Sequence, residues 1–385
     1  MTIENIGKDN EFEQMIHHEI ERKLLPIFPE QLAPLRKDAM PIEQYYLSHL
    51  DEPFSLRFRE TFRDGQLHYE ATLKDNGRRT TQGLERLEVP VTVPAELYKY
   101  YFDEHTTPVL RKLRSEPMPG VVVDFYDDDS AQVEIEQPTR MEIFQARFGS
   151  DFMDISGDHL GSNEWRAHVS FRRLHQGLEA LTPGEELTTQ TVINDILTRR
   201  TRSLEPVIVH IGGRSGSGKS TLVHEVSRAL DELGLSSGIL STDDYHRGTT
   251  WLRNYNHGET WTHWDEPIVY DTGLMAQDLT QLKQGESIAT RGIDWSVAEP
   301  VINGTMTMPD VLLIEGIYAN VPEITTSDDL SYEMTTPLAT CIGRRLLRDL
   351  RERPQFADPT ASLLYMLSEA EPAYRAQLAA RGAQS

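Results

Sequence analysis

Between Val207 and Leu222 the chain reads VIVHIGGRSGSGKSTL, and Gly213-x-x-x-x-Gly218-Lys219-Ser220 within it completes a Walker A pattern. Glycines carry no side chain to block the backbone, so consecutive N–H groups can turn inward around a polyphosphate. The N-terminus of a following helix adds partial positive charge. The candidate ATP-binding residues are therefore Gly213, Arg214, Ser215, Gly216, Ser217, Gly218, Lys219, Ser220 and Thr221. Lys219 has the length and charge to reach the β and γ phosphates, and the Ser220 hydroxyl can ligate Mg2+. A glycine-rich turn that binds nothing would not need the elements that flank this one. The run Val207-Ile208-Val209-His210-Ile211 reads as a buried strand. Leu222, Val223, Val226, Ala229, Leu230 and Leu233 share one face of a helix that Gly234 stops.

Two further strands end in acids. Gly238 to Tyr245, GILSTDDY, ends in Asp243 and Asp244, and Val311 to Gly316, VLLIEG, ends in Glu315 at a Walker B-type position. Ligands of open α/β sheets bind at the carboxyl ends of strands, where such acids can organise Mg2+. A lone acid at a strand end is often only a helix cap, but three beside a phosphate loop point to function. Gly343 to Arg353, GRRLLRDLRER, is a helix with a dense arginine face carrying Arg344, Arg345, Arg348 and Arg353. It reads either as a salt-bridged surface helix or, the favoured expectation, as a lid that closes arginines onto phosphates during transfer.

The whole chain bounds these readings. Its 385 residues predict two domains. A net charge of −23 argues against a general binder of nucleic acid or anionic membrane. Any anion site must be a local concentration of basic residues. With a single cysteine, Cys341, no internal disulfide can form, which fits a reducing cytoplasm. The polar, acidic start resembles no signal peptide, and no apolar run is long enough for a membrane span.

The N-terminal half predicts an antiparallel meander, with strands around 18–24, 45–47, 55–60, 67–74, 85–91, 109–114, 121–126 and 132–136 and a helix near 95–102. Asp64-Gly65 is a hairpin turn. These strands repeatedly place charge at i and i+2: Glu19, Glu21 and Lys23; Arg57 and Arg59; Lys74; Arg111; Glu134 and Glu136. Residues two apart share a face of a strand. Either that face meets solvent or the sheet closes around a charged cavity.

This half resembles the CYTH, or triphosphate tunnel, family, whose mark ExExK stands here as Glu19-Ile20-Glu21-Arg22-Lys23, followed by Arg-x-Arg, Lys, Arg and Glu-x-Glu strands. The resemblance, over about residues 10–170, implies an eight-stranded barrel. Lys23, Arg57, Arg59, Lys74, Arg111 and Arg114 would bind a polyphosphate or nucleoside triphosphate, and Glu19, Glu21, Glu134 and Glu136 would hold Mg2+ or Mn2+. One departure stands out. Where a further Glu-x-Glu is expected, the chain has Arg86-x-Glu88, which leaves the metal set incomplete.

Residues 178–204 predict a connector helix ending in the basic cluster Arg199-Arg200-x-Arg202, read as a solvated helix end. Beyond it, five segments in order resemble the uridine kinase and phosphoribulokinase family. They are GRSGSGKST, LSTD, Trp264-Asp265-Glu266-Pro267, IEGIYA and RRLLRDLRER, with LLYMLSEAEPAY as the closing helix. The resemblance implies a P-loop kinase with ATP as co-substrate. Asp243 would be the base on an acceptor hydroxyl, Ser220 and Glu315 would hold Mg2+, and Lys219 and Arg348 would neutralise the transferred phosphate. It departs at the acceptor side, where a tyrosine and a histidine that hold a nucleoside become Ile293 and Ala298. Trp251, Trp261, Trp264 and Trp295 lie nearby and read equally as stacking surfaces or as packed core.

The expectation is thus a cytoplasmic two-domain enzyme. An α+β unit containing an antiparallel barrel (1–175) and a connector (176–203) precede an α/β P-loop kinase with a parallel sheet (204–385). The kinase would phosphorylate a small nucleoside-like or sugar-like molecule. Two alternatives stand beside it: hydrolysis of a triphosphate or pyrophosphate in the tunnel, with the P-loop regulatory, and a non-catalytic nucleotide sensor. Related kinases often form multimers, so a homo-oligomer is also an open expectation. Neither nucleic acid nor membrane is expected as a partner.

Overall fold

The computed structural model describes residues 18–137, 139–174, 187–352 and 358–382. They divide into two compact units, one of 18–174 with 337–364 and one of 187–336 with 365–382, within those described residues.

In the first unit, eight strands close on themselves. They are β1 (His18–Pro26), β2 (Met40–Tyr46), β3 (Phe54–Arg63), β4 (Gln66–Asp75), β5 (Leu84–Thr92), β6 (Val109–Met118), β7 (Val121–Phe125) and β8 (Ala131–Ile135). The order is β1-β8-β7-β6-β2-β3-β4-β5, every neighbour is antiparallel, and β5 returns to pair with β1. Closure removes the open edges that a sheet otherwise leaves unpaired. The tight β3–β4 connection is Asp64-Gly65, both at positive φ, 51° and 77°. That is the backbone twist which suits a two-residue hairpin.

Alternation then sorts the side chains between the inside and outside of the barrel. On the outside, Val121, Val123, Phe125, Val133 and Ile135 form an apolar cluster with Leu32 and with Phe144 of α2 (Arg140–Phe148). Tyr45 and Phe58 stack at 5.1 Å and meet Tyr98 of α1 (Ala95–Tyr101). The inside takes the charged residues. The predicted strands are all present, and β2 begins at Met40 rather than Tyr45. The helix α3 (Asn163–Leu174) follows the barrel strands.

The second unit carries the parallel sheet, β10-β13-β9-β14, from β9 (Val207–Gly213), β10 (Ser237–Ser241), β13 (Val311–Gly316) and β14 (Leu330–Met334). The central strands β9 and β13 are continuous apolar runs because both faces are covered. On one face Val209, Ile211 and Leu313 pack with Val223 and Val226 of α5 (Lys219–Glu232) and with Val192 and Ile196 of α4 (Thr189–Arg202). On the other, Ile208, Leu312 and Ile314 pack with Met275 and Leu279 of α7 (Thr272–Lys283). The unit also contains the short helix α6 (Thr249–Tyr255) and a separate hairpin of β11 (Ile288–Asp294) and β12 (Glu299–Met306). From Tyr365 on, the closing segment leads through residues 366–370 to α10 (Glu371–Gly382), and α9 (Pro359–Tyr365), all but its last residue, groups with the barrel.

The arginine helix α8 (Leu338–Glu352) groups with the barrel. Thr340 donates from its hydroxyl to Glu52 Oε2 at 2.8 Å and from its backbone N–H at 3.2 Å. Gly343 lies directly against the Phe54 ring at the start of β3.

Candidate phosphate sites

The loop between β9 and α5 has the conformation its glycines permit. Gly213 has a φ of +148°, and an added Cβ would press on Ser217 Oγ at 2.9 Å and Met334. Gly218, the N-cap of α5, sits at φ 98°. L-residues with a side chain avoid both conformations. Lys219 folds back over the loop, donating from Nζ to the carbonyls of Gly213 (3.0 Å) and Arg214 (2.8 Å). Those carbonyls hold the ammonium where a polyphosphate cradled by the loop would meet it. Arg214 forms a bidentate pair with Glu371 (2.8 and 3.1 Å) and lies over the Tyr374 ring, which ties the loop to α10.

At the first turn of α5, Ser220 Oγ donates to Glu315 Oε1 at 3.2 Å, and Ser241 Oγ donates to the same oxygen at 2.9 Å. Burial raises the Glu315 pKa, Lys219 opposes that, and Asp243 adds to it. A buried carboxylate crowded by a second carboxylate favours a cation. A Mg2+ ion sharing its other ligands with nucleotide phosphates needs no more protein oxygens than these. The residues present fit that ion. Among the described residues no group of three or more His, Cys, Asp or Glu is arranged to hold a metal by itself.

The two adjacent aspartates have different surroundings. Strand β10 ends at Ser241, and Thr242–Tyr245 form a single 3-10 turn. Ser241 and Asp244 make a reciprocal capping box there, with Asp244 accepting from Ser241 N–H at 3.2 Å. Burial pushes Asp244 up to about 6, with Asp243 and Glu315 adding to the rise. The Asp243 carboxylate makes no hydrogen bond or ion pair among the described residues.

Beside them lies a residue that the sequence motifs did not single out. His246 is buried and accepts from Gly248 N–H at its Nδ1 (2.9 Å), which assigns the ring proton to Nε2. Its ring is stacked with Trp264 at 6.0 Å and met edgewise by Trp295 and Tyr270. Trp261 and Trp264 pack against the cluster of Leu252, Val269, Tyr270 and Tyr318. Trp251 stacks on Tyr255, and the Arg247 guanidinium lies over it. Asp265 of the Trp-Asp-Glu-Pro segment is held by Tyr365 of the closing segment, Oη to Oδ2 at 2.7 Å. Ile293 pairs with Pro300 across the β11–β12 hairpin, and Ala298 sits at its turn with φ 53°.

On α8, Arg345 pairs with Asp349 at 3.5 Å and Arg348 with the same carboxylate at 2.8 Å, while Arg344 is exposed. Arg353 lies outside the described residues. At the end of α4, Arg200 reaches Asp310 at 3.0 Å.

The barrel interior is a lattice of ion pairs. Lys23 lies 3.5 Å from Glu21 and 3.3 Å from Glu134. Lys74 bridges Glu19 (3.4 Å) and Glu88 (2.6 Å), and Arg57 meets Glu70 at 3.2 Å. Arg114 joins Asp124 (2.7 Å) to Glu134 (2.8 Å), and Lys112 meets Asp124 at 2.6 Å with both side chains fully buried. Arg59 is crowded: burial, then Arg57 and Arg114, lower its pKa to about 9.

Two of the expected tunnel residues are corrected. Arg111 is on the outer surface, 70% exposed and paired with Glu43 at 2.7 Å. It is three residues from Arg114 and so faces the opposite way, and the inward neighbour of Arg114 is Lys112. Glu136 follows the end of β8 and is exposed, although Glu134, itself inside, adds to the burial that raises its pKa. Glu19 and Glu21 face inward as expected, but both pair with Arg86.

The two units thus define an antiparallel barrel with a charged interior and an α/β sheet with a phosphate loop. Residues 208–371 match the model of the Phosphoribulokinase / Uridine kinase family. A uridine kinase of Shewanella frigidimarina is 35% identical over 156 residues, spanning 39% of this chain and 72% of the relative. One of Shewanella amazonensis is 34% identical over 155 residues, with shares of 39% and 72%. The chain belongs to the phosphoribulokinase/uridine kinase family. Among solved structures, the inorganic triphosphatase NE1496 aligns with a TM-score of 0.24 at 21% identity, covering 39% of this chain and 93% of that one. Among the described residues no helix is long and apolar enough to cross a membrane.

Proposed function

We propose that the second unit transfers the γ-phosphate of ATP to a hydroxyl of a small nucleoside-like or sugar-like acceptor, with Asp243 as the base. The observation that carries this is the contrast between neighbours: Asp244 is tied into a helix cap, whereas the Asp243 carboxylate has no hydrogen bond or ion pair among the described residues. Asp243 is also close enough to raise the pKa of Glu315, the acid facing Ser220. A carboxylate with free lone pairs beside a phosphate loop can accept the proton of an attacking hydroxyl.

Most of the acceleration in phosphoryl transfer comes from positioning and charge neutralisation. Lys219 supplies one positive charge. Mg2+ held by Ser220 and Glu315 would supply more when bound with the nucleotide.

The uridine kinase relatives suggest a nucleoside, but Ile293 and Ala298 offer no side-chain hydrogen bond to a base. A site without such partners discriminates poorly among bases. The aromatic group around His246 offers instead flat apolar surface. The test is a screen of nucleosides and phosphorylated sugars with γ-labelled ATP: label should move to one acceptor class in wild type and remain on ATP in Asp243→Asn. Transfer undiminished in Asp243→Asn would overturn the assignment of the base.

A further inference from the structure

Arg86 and Glu19 are direct partners across the β1–β5 seam that closes the barrel. The Arg86 guanidinium spans the two inward carboxylates of β1, with NH2 2.6 Å from Glu21 Oε1 and Nε 3.5 Å from Glu19 Oε2. Burial alone would lower its pKa, but Glu21 and then Glu19 raise it, so the group stays cationic. A divalent metal at these carboxylates would lie against a fixed positive charge that repels it.

The other carboxylates inside are equally engaged. Lys74 takes Glu88, Lys23 and Arg114 take Glu134, and Lys112 and Arg114 take Asp124. A Mg2+ or Mn2+ set built on Glu19, Glu21 and Glu134 therefore does not fit this barrel. Among the described residues the buried groups inside without a hydrogen-bond partner include the acceptors Glu21 Oε1, Gln44 Oε1 and Gln132 Oε1, but on the arginines the unmet demand is for an acceptor. Arg57 Nε and Arg59 Nε are buried N–H donors with no hydrogen-bond acceptor among the described residues, and Arg86 Nε has only its 3.5 Å ion-pair contact with Glu19, which is not a hydrogen bond. Among the described residues, Arg59 has only Glu70, at 4.0 Å, as a paired carboxylate. Buried donors left without acceptors are costly. The oxygens of an inorganic polyphosphate would satisfy all three, and guanidinium groups suit phosphate geometry.

We infer that the barrel is a metal-independent receptor for an inorganic polyphosphate, in which Arg86 takes the place of the metal and no metal-assisted hydrolysis occurs. The inference rests on reading the barrel interior as an anion site. It is independent of the kinase assignment.

The full chain carrying Lys219→Ala, which disables the phosphate loop, is titrated with tripolyphosphate in EDTA by calorimetry. Binding of one equivalent is expected, weakened at least tenfold by Arg57→Ala. Separately, Mn2+ uptake without anion is read by electron paramagnetic resonance. The Lys219→Ala chain should take up no tight Mn2+. Adding Arg86→Glu should create a site at least tenfold tighter, while Arg86→Gln, the milder change, serves if the glutamate variant does not fold and should tighten Mn2+ in the same direction. Stoichiometric Mn2+ uptake with Arg86 present, or tripolyphosphate binding that vanishes in EDTA and returns with metal, overturns the inference. Absence of anion binding in either condition overturns the anion-site reading beneath it and leaves the Mn2+ result to decide the role of Arg86.

Discussion

Ser220 Oγ donates to Glu315 Oε1 across 3.2 Å, joining the first turn of the phosphate-loop helix to the end of the neighbouring parallel strand. This contact links the loop that would cradle phosphate to the acid that would organise Mg2+. Glu315→Gln keeps the shape and removes the charge. Changes of this kind around a metal typically cost 10–100-fold in affinity. The concentration of Mg2+ giving half-maximal ATP-dependent transfer should therefore rise by roughly tenfold or more, measured as a Mg2+ titration of initial rate.

Asp243 and Asp244 should separate cleanly. Asp243→Asn is expected to lower kcat by about 10²- to 10⁴-fold, the usual worth of a positioned base, with little change in melting temperature. Asp244→Ala removes one half of the capping box with Ser241, and a lost cap costs about 1 kcal/mol. Thermal unfolding reads that loss, and kcat tells whether the turn still presents Asp243.

The barrel offers a test of which face a residue occupies. Arg114→Ala leaves Asp124 and Glu134 short of a partner in a buried lattice, and breaking such a pair costs about 3–5 kcal/mol. Arg111→Ala removes an exposed pair with Glu43, worth about 0–1 kcal/mol. Urea unfolding of the two variants should therefore differ severalfold in lost stability, and tripolyphosphate binding should survive the Arg111 change.

Much of this was legible in the sequence, for identifiable reasons. The Walker A spacing and the apolar runs Val207–Ile211 and Val311–Ile314 are local signals, and the parallel strands form where those runs stand. Period-two charges marked the barrel's inner face at Glu19, Glu21, Lys23, Arg57 and Arg59. Arg111 was misplaced by grouping it with Arg114, although strict alternation pairs Arg114 with Lys112. Asp124 was hidden for another reason: β7 is buried on both faces, so its apolar residues do not alternate with polar ones. The seating of α8 on Glu52 and Phe54 joins residues 288 apart, and no local pattern encodes such a contact. Arg86 was visible as a departure, but only its position across from Glu19 shows what it does.

Lys112 gives the barrel a pH dependence. Burial, and then Arg114, push its pKa down to about 7 against the pull of Asp124 and Glu134, with Arg59 adding to the fall. Below that pH the side chain is charged, and above it the interior loses one positive charge. Trimetaphosphate keeps a constant charge from pH 6 to 8, so its affinity for the Lys219→Ala chain should fall by roughly three- to tenfold over that range, a change consistent with losing one nearby charge. Glu19, which burial pushes up to about 7, gains a negative charge over the same range, so Lys112→Met should remove part of the fall and Lys112→Met with Glu19→Gln the rest. An affinity that rises with pH would contradict the assignment.

The most direct test of the central claim is transfer of labelled γ-phosphate from ATP to a small hydroxyl acceptor by the wild-type chain, compared with Lys219→Ala and Arg57→Ala. Label should appear on the acceptor in wild type and in Arg57→Ala, and should fall by at least about 10²-fold in Lys219→Ala, where the positive charge facing the phosphates is gone. Label released only as free phosphate, undiminished in Lys219→Ala and abolished in Arg57→Ala, would place the chemistry in the barrel and contradict the account.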